Sequence, residues 1–414
     1  MLKAVITLVS GAGLSQLLAI LALPVIARYY DAASYGVFSL YLVLVSIAGI
    51  ALTLQLNQAI VIAKSSLEAR KIVCLCLWIC LIACFSLFSL LYFLTHIISI
   101  VPEGTLGFSL QLLFAGSFLV AATSAFHYYC IRIQYFRLIA LCLSVRTILM
   151  VGLQIGFATS LPTFKSLILA HILAEIVVIF LYIYATPEVI RSLRYRSFDR
   201  ELSLYKNIAH RYSGFIRYTF PQETMNAFSQ GVPIIILSLF YPAAAGYFAM
   251  AHKILNAPTG LIANSVRQVA FSRMAEIKRS RGRIRDFYFR VIAILASVAC
   301  TGLLAYYMFS EIIFGQLFNA EWTPSLSYMN LLILWMIFLV LNPPSLAYLK
   351  VKRKLSFLLK YDILLLLSRS AALLLGCVYF GPIYAVSFFV AVSVFFNAFV
   401  VIYATRLVME EPVA

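Results

Sequence analysis

Long apolar stretches separated by short polar links run the whole length of the sequence. Twelve of them have the length of a membrane span, and they cover residues 5–28, 36–62, 72–94, 106–129, 138–158, 167–186, 214–240, 243–272, 288–310, 325–348, 357–379 and 383–405. A helix needs about 20 apolar residues to cross a bilayer. Because these runs are too long and continuous for barrel strands, they predict an all-α polytopic membrane protein with about 12 transmembrane helices.

Composition supports a membrane protein and excludes an ordinary cytosolic enzyme. Of the 414 residues, 63% are hydrophobic and 11% are charged, whereas soluble domains have about 25% charged residues. Twelve spans leave no room for a large soluble catalytic domain. The eight cysteines lie in or beside apolar runs without metal-ligand spacing, and no Gly-x-x-x-x-Gly-Lys-Ser/Thr phosphate loop occurs. The sequence therefore indicates no metal, no cofactor and no P-loop ATPase.

The net charge of +17 is distributed unevenly between the links. Nearly all lysines and arginines outside the spans fall in alternate links on the side of the N-terminus, and only Arg28 and Lys165 fall on the other side. Because basic residues are enriched in cytoplasmic loops, this asymmetry places both termini in the cytoplasm. It also explains the net charge without a nucleic-acid partner.

The longest basic link, 187–213, separates six predicted spans from six others. We therefore predict an N-terminal six-helix lobe at 1–190, a cytoplasmic basic linker at 191–212 and a C-terminal six-helix lobe at 213–414. An even number of spans in each half makes any repeat a parallel one. The link Tyr30–Phe38 echoes the link Tyr241–Phe248 at the position such a repeat requires. The predicted fold is two lobes related as a parallel pseudo-repeat around a central cavity.

Short motifs in both halves resemble one family of membrane proteins. In the second half they are Arg211–Ser213, Tyr218–Pro221, Asn226–Gln230, Pro233, Ala245–Leu255, Pro258 and Ala275–Glu276. In the first half they are Gly13–Leu17, Pro24, Arg28–Tyr30, Tyr35–Phe38 and Gln58–Val61, and Phe314–Gly315 and Glu321–Trp322 follow later. The chain resembles the polysaccharide flippases, of O-antigen translocase type, in the multidrug/oligosaccharidyl-lipid/polysaccharide exporter superfamily.

The resemblance implies a function. Such proteins move an undecaprenyl-diphosphate-linked oligosaccharide from the inner to the outer leaflet of a bacterial cytoplasmic membrane, without ATP and by alternating access. It further implies membrane lipid and other polysaccharide assembly proteins as partners. One departure is the sequence Gln55-Leu56-Asn57, where many relatives have Arg-Tyr-Glu, so a role for charge at that place does not carry over.

Basic residues inside the predicted spans are candidates for binding the diphosphate. A charge at the bilayer centre costs about 2.5–3.5 kcal/mol on insertion scales, so it should face a cavity or a partner. The proposed cationic lining consists of Arg146, Arg217, Lys253 and Arg369 within the spans, together with Arg28 at the outer end of the first span. Arg217, Arg267 and Lys360 lie near the cytoplasmic face, so snorkelling to that face is the alternative for them. Arg28, at the outer end of its span, has the alternative of a headgroup anchor.

Two neighbouring spans carry polar stripes at helical spacing. The stripe of the eighth span contains Lys253, Asn256, Gly260, Asn264 and Arg267, and that of the seventh contains Thr219, Glu223, Asn226 and Gln230. We expect Asn226, Gln230, Asn256 and Asn264 to line a water-filled cavity. Hydrogen bonds between the two helices are the alternative.

Acidic residues within the spans are candidates for ion coupling. Glu175 and Glu223 are the two we consider, because a carboxylate in a transport cavity can carry protons. A structural ion pair of Glu175 with Arg146 is an equal alternative. His127, His171 and His252 fit hydrogen-bonded structural roles better than catalytic ones.

Two other functions compete with the flippase. A membrane-embedded glycan polymerase or ligase would need a substantial outer loop, whereas the longest outer link is 311–324. A drug or small-cation exporter of the same superfamily would need a more acidic cavity. The sequence therefore favours a transporter over an enzyme.

The charge asymmetry predicts which links face the cytoplasm. A cysteine replacing Ser203 should react with a membrane-impermeant thiol reagent only in inverted vesicles, and one replacing Glu103 only in intact cells. The unsubstituted chain provides the labelling background. Reaction of Ser203→Cys in intact cells would invert the topology.

Overall fold

The structure, a computed structural model, describes residues 13–96, 105–192, 198–280, 282–352 and 354–410. These residues are almost entirely helical and form no strand. The start of the first predicted span, the labelling position Glu103 and residues 193–197 of the predicted linker lie outside the described residues. Contacts divide the chain into two compact units.

Unit 1 consists of Met1–Tyr30 and Val37–Gly231. Its helices are α1 (Leu23–Tyr29), α2 (Ala32–Thr53), α3 (Leu56–Ile62), α4 (Ser66–His96), α5 (Thr105–Arg132), α6 (Phe136–Ala158), α7 (Phe164–Ala185), α8 (Pro187–Ser192) and α9 (Phe198–Arg211). A π-helical turn at Phe215–Thr219 leads into α10 (Phe220–Phe240). The first turn of α2 is assigned to unit 2 by its contacts.

Unit 2 consists of Asp31–Gly36 and Val232–Ala414. Its helices are α11 (Pro242–Arg279), α12 (Ile284–Leu317), α13 (Pro324–Leu341), α14 (Pro343–Val351), α15 (Leu355–Tyr379) and α16 (Pro382–Met409), with a 3-10 turn at Ala320–Trp322. The units thus divide within α2 and α10, whereas the predicted lobes divide at the linker 191–212. The six-plus-six division stays a prediction.

Nine helical segments in the described part of the chain are long and apolar enough to cross a membrane. A shorter apolar helix, Gly13–Tyr29, accompanies them. Helices α10 and α11 have 21 and 38 residues and are long enough to span, but each carries a polar stripe on one face. Together these helices account for the twelve predicted spans, and the chain is a multi-pass membrane protein.

The second predicted span, 36–62, is not one continuous helix. Leu54 and Gln55 have φ values of 47° and 57°, which end α2 and start the short helix α3 in a new direction. Neither residue is glycine, so this left-handed pair is strained. Buried amides hold it in place: Gln58 Nε2 donates to Gln55 Oε1 at 2.7 Å, and Asn57 Nδ2 donates to Ser124 Oγ at 2.7 Å. The break therefore falls on the segment that departs from the family pattern.

The tenth predicted span, 325–348, is also divided. Helix α13 ends at Leu341, and α14 starts at Pro343. Pro343 and Pro344 have no backbone N–H to continue the helical ladder, so the regular hydrogen bonding is interrupted at Asn342. The Asn342 side chain is buried and donates from Nδ2 to Asn397 Oδ1 of α16 at 2.6 Å. A polar residue again fastens the irregular backbone to a neighbouring helix.

The two echoing links found in the sequence meet each other in unit 2. A Cβ atom at Gly36 would collide with the carbonyl oxygen of Pro242, and one at Gly246 would collide with the carbonyl oxygen of Ala32. Each glycine stands four residues after the carbonyl that the other glycine contacts. The relation is therefore reciprocal, and the starts of α2 and α11 cross with their backbones in contact.

Aromatic rings and a cap reinforce this crossing. Tyr35 and Tyr247, each adjacent to one of the glycines, both stand edge-on to the buried Trp322, with ring centroids at 5.7 and 6.0 Å. Asp31 caps α2 by accepting a hydrogen bond from the Ser34 backbone N–H at 3.3 Å. The matching side chains explain why the two links have similar sequences.

We predict that the crossing is sensitive to one methyl group. Gly246→Ala should lower the free energy of unfolding by about 1–3 kcal/mol, because the new Cβ displaces rigid backbone. Gly302→Ala in α12 is the matched control, since a Cβ there meets nothing within 4 Å. It should be neutral or stabilise by about 0.5–1 kcal/mol. Thermal unfolding of both purified variants in detergent checks this, and equal midpoints would contradict it.

Candidate functional site

A buried carboxylate at the middle of α7 organises the polar interior of unit 1. Glu175 is 1% exposed. Its Oε1 atom accepts from Arg146 Nη1 of α6 at 3.1 Å, and its Oε2 atom accepts from Thr123 Oγ1 of α5 at 3.0 Å. An isolated charge at this depth would be costly, and the arginine and hydroxyl lower that cost. The ion pair of Glu175 with Arg146, given above as the alternative to ion coupling, is therefore present.

A histidine and a tyrosine extend this network to α2. His171, one turn before Glu175, places Nε2 3.8 Å from Glu175 Oε1. Its Nδ1 atom lies 3.3 Å from the Tyr41 hydroxyl. A Cβ at Gly116 of α5 would collide with that same hydroxyl, so the glycine makes room for the tyrosine. Four helices thus contribute to one polar network.

Arg146 differs from its partner in exposure. Its side chain is 39% exposed, although that of Glu175 is 1% exposed. The Arg146 side chain therefore contacts the carboxylate and retains accessible surface. This geometry allows an anion to approach Arg146 and compete with Glu175 for it. Arg146 can therefore both pair with Glu175 and bind a ligand.

The polar stripe of α10 is partly exposed. Asn226 and Gln230 are exposed, and Gln230 Nε2 donates to Asn226 Oδ1 at 3.2 Å. Glu223 is half-buried one turn before Asn226. The bond between the two amides runs along one helix. Both amides can still donate to, or accept from, a polar ligand.

The stripe of α11 belongs to unit 2. Lys253 and Asn256 are half-buried, whereas Asn264 and Arg267 are exposed. Asn256 lies against Gly260, whose missing side chain leaves space beside the amide. Lys253 forms no ion pair with any described residue of unit 2. The shared central cavity expected for the two stripes involves residues of both units and stays a prediction.

Arg369 does not have the exposure expected of a cavity-lining cation. It is 8% exposed and donates from Nε to Ser393 Oγ at 2.8 Å. Its guanidinium carbon lies 5.0 Å from the centre of the Trp335 ring and 5.1 Å from that of Phe389. Cation–π contacts thus stabilise the charge inside unit 2 and leave little surface for a ligand. Arg28 and Arg217, by contrast, are exposed.

Sequence reasoning assigned some of these contacts and missed others. The spacing of four residues between His171 and Glu175 is visible in the sequence and could have suggested their contact. The parts played by Thr123 and Tyr41 could not be inferred, because they come from other helices. The aromatic enclosure of Arg369 by Trp335 and Phe389 likewise has no sequence signature.

The chain was compared with protein families and with curated protein sequences. A sequence model of the family described as "Polysaccharide biosynthesis protein" matches residues 25–327. No curated protein sequence matches the chain.

Several solved structures share the fold. The lipid II flippase MurJ in an inward closed conformation aligns with a TM-score of 0.63 and 14% identity, covering 97% of this chain and 90% of that one. An inward-facing multidrug resistance MATE family transporter of the MOP superfamily aligns at 0.66 and 13%, covering 95% and 94%. A MOP superfamily transporter from Pyrococcus furiosus, described as having a binding pocket of reverse polarity, aligns at 0.59 and 13%, covering 98% and 96%.

These alignments confirm the predicted all-α polytopic fold. The aligned transporters have 12 helices in two lobes. At such low identity they show the fold alone. The family assignment rests on the sequence match, which spans well over half of the 414 residues. The chain therefore belongs to the polysaccharide biosynthesis protein family, in agreement with the resemblance seen in its motifs.

Proposed function

We propose that this protein is a flippase for a lipid-linked oligosaccharide. Its substrate is an undecaprenyl-diphosphate-linked repeat unit of O-antigen or similar type, which it moves from the inner to the outer leaflet of a bacterial cytoplasmic membrane. Both termini face the cytoplasm, and transport proceeds by alternating access without ATP. The fold shared with the lipid II flippase MurJ and the family membership support this assignment.

The observation that carries the proposal is that two cations within the predicted spans remain partly accessible. Arg146 lies mid-way along α6 with a partly exposed side chain, and Lys253 lies half-buried on the polar stripe of α11. A diphosphate that crosses a bilayer loses hydration, and cations along its path offset that loss. Arg28 and Arg217 complete the proposed binding set, with amides from Asn226, Gln230, Asn256 and Asn264. The buried Arg369 supports unit 2 in our proposal and does not contact the substrate.

Two features suggest how the cycle works. The crossing of α2 and α11 at Gly36 and Gly246 lies at the ends opposite the basic links, and an outward-open state has to separate these helix starts. In the network of Glu175, a proton on the carboxylate would neutralise it and release Arg146 to the diphosphate. Glu175 is therefore our first candidate for ion coupling, and Glu223 is the second.

An assay of the lipid-linked intermediates tests the proposed function. In cells that lack the protein, the lipid-linked repeat unit should accumulate in the inner leaflet, protected from enzymes added outside. Accumulation of single repeat units in the outer leaflet would instead indicate a polymerase or ligase. Normal glycan with increased sensitivity to cationic drugs would indicate an exporter of small cations.

Lys253 provides a test of the cationic path. Lys253→Ala should reduce surface glycan at least tenfold at normal membrane abundance, whereas Lys253→Arg should retain much of it because the charge remains. Lys360→Ala is the matched control: this lysine of α15 is exposed and predicted to snorkel. Normal export by Lys253→Ala would remove this residue from the mechanism.

Glu175 provides a test of ion coupling. In proteoliposomes, Glu175→Gln should abolish the dependence of transport on an imposed proton gradient while leaving protein abundance near normal. Glu223→Gln, measured in parallel, distinguishes between the two candidate acids. If Glu175→Gln instead lowers abundance and a second change, Arg146→Gln, restores it, the pair is purely structural.

A further inference from the structure

A cleft of about 490 Å³ opens beside the basic linker in unit 1. One wall is the start of α4, from Lys64 to Lys71, and the other is the linker helix α9 with residues Ser203 to Arg211. None of the residues proposed above for transport lines it. The cleft is therefore a separate feature of the molecule.

The walls of the cleft are held together by one carboxylate. Glu68 forms a capping box at the start of α4: its Oε2 accepts from the Lys64 backbone N–H at 2.8 Å, and its own N–H donates to Ser65 Oγ at 3.1 Å. Its other oxygen, Oε1, accepts from Arg211 Nη1 at 2.5 Å. Glu68 thereby links the first turn of α4 to the last turn of α9.

The linker helix is also anchored by its apolar face. Ile208 and the following Tyr212 are 5% and 7% exposed and belong to the core of unit 1. Burial, with the nearby Glu68 carboxylate, raises the pKa of the Tyr212 phenol. Beside this apolar face, Ser203 and Asn207 are exposed. The helix therefore presents polar groups to the cleft from a fixed backbone.

Charge and position suit the cleft to a lipid phosphate. Three cations, Lys64, Lys71 and Arg211, surround it with a single carboxylate, Glu68, and its remaining wall mixes hydroxyl and amide groups with leucine and isoleucine. The apolar span Ser66–Ser86 begins directly beside Lys64 and Ser65, and the end of a spanning helix is where lipid headgroups are expected. Basic pockets beside membrane helices on the cytoplasmic side are typical headgroup sites.

We propose that this cleft is a binding site for the phosphate group of an anionic lipid in the adjoining leaflet. Lys64 and Lys71 contact the phosphate oxygens, and Ser203 and Asn207 donate hydrogen bonds to it. Arg211 contributes charge while it stays paired with Glu68. The same phosphate chemistry occurs in anionic phospholipids and in isoprenoid diphosphates, and the experiment below separates these two sources.

The test uses the purified full-length protein in a neutral detergent. Binding of short-chain phosphatidylglycerol, of farnesyl diphosphate and of short-chain phosphatidylcholine is measured by microscale thermophoresis. Lys64→Gln leaves the capping box intact, because the bond to Glu68 comes from the backbone N–H. We expect it to weaken phosphate binding about fivefold, and the pair Lys64→Gln/Lys71→Gln about 25-fold. Ser203→Asp, which adds a negative charge to the cleft, should weaken binding as well.

Lys206→Gln is the matched control, since this exposed lysine of α9 does not line the cleft. It should leave binding within twofold of the unsubstituted protein, and Lys64→Arg should retain binding. Preferential binding of phosphatidylglycerol identifies a phospholipid site, and preferential binding of farnesyl diphosphate identifies a diphosphate site. Equal binding of phosphatidylcholine, equal losses in Lys206→Gln and Lys64→Gln, or no binding of either anionic lipid would overturn the proposal.

Discussion

The absence of water in the bilayer governs the helix breaks and buried charges of the described spans. A polar group there has to find its partner within the protein, so the backbone forms helices almost throughout. Where a helix breaks, at Leu54–Gln55 and at Asn342, a buried amide bridges to another helix. Where a charge is buried, it has a specific neighbour: Arg146 for Glu175, and Ser393 with two aromatic rings for Arg369.

The same constraint divides the intramembrane cations into two groups. Arg369 is buried within unit 2 against Ser393 and two aromatic rings, whereas the side chain of Arg146 pairs with Glu175 and is still partly exposed. A transporter of anions needs the second kind, because the cation must exchange one partner for another during the cycle. A carboxylate that can accept a proton is a suitable partner for such an exchange. This reasoning places Glu175 and Arg146 together at the centre of the proposed mechanism.

Uncharged backbone contacts also require particular residues at particular positions. The reciprocal crossing of Gly36 and Gly246 brings two backbones into direct contact, which only glycine allows. Close backbone approach at small residues is typical of helix packing in membranes, where the hydrophobic effect does not drive association. On the linker, by contrast, association depends on a carboxylate, an arginine and an apolar helix face. The two regions illustrate packing in lipid and packing at the membrane surface.

The sequence by itself determined the membrane class, the number of spans, the family and the pairing partner offered as an alternative for Glu175. These follow from apolar length, from motifs and from the rule that a buried charge needs an opposite charge. The echo of Tyr30–Phe38 and Tyr241–Phe248 indicated a relation between two links, but only the tertiary structure showed their glycines in contact. It also decided the breaks at Gln55 and Asn342, the enclosure of Arg369 and the cleft beside Glu68. The prolines after Asn342 are visible in the sequence, but the bonds of Asn57 to Ser124 and of Asn342 to Asn397, the enclosure of Arg369 and the cleft depend on side chains from helices distant in sequence. No periodicity along the chain records which helices become neighbours.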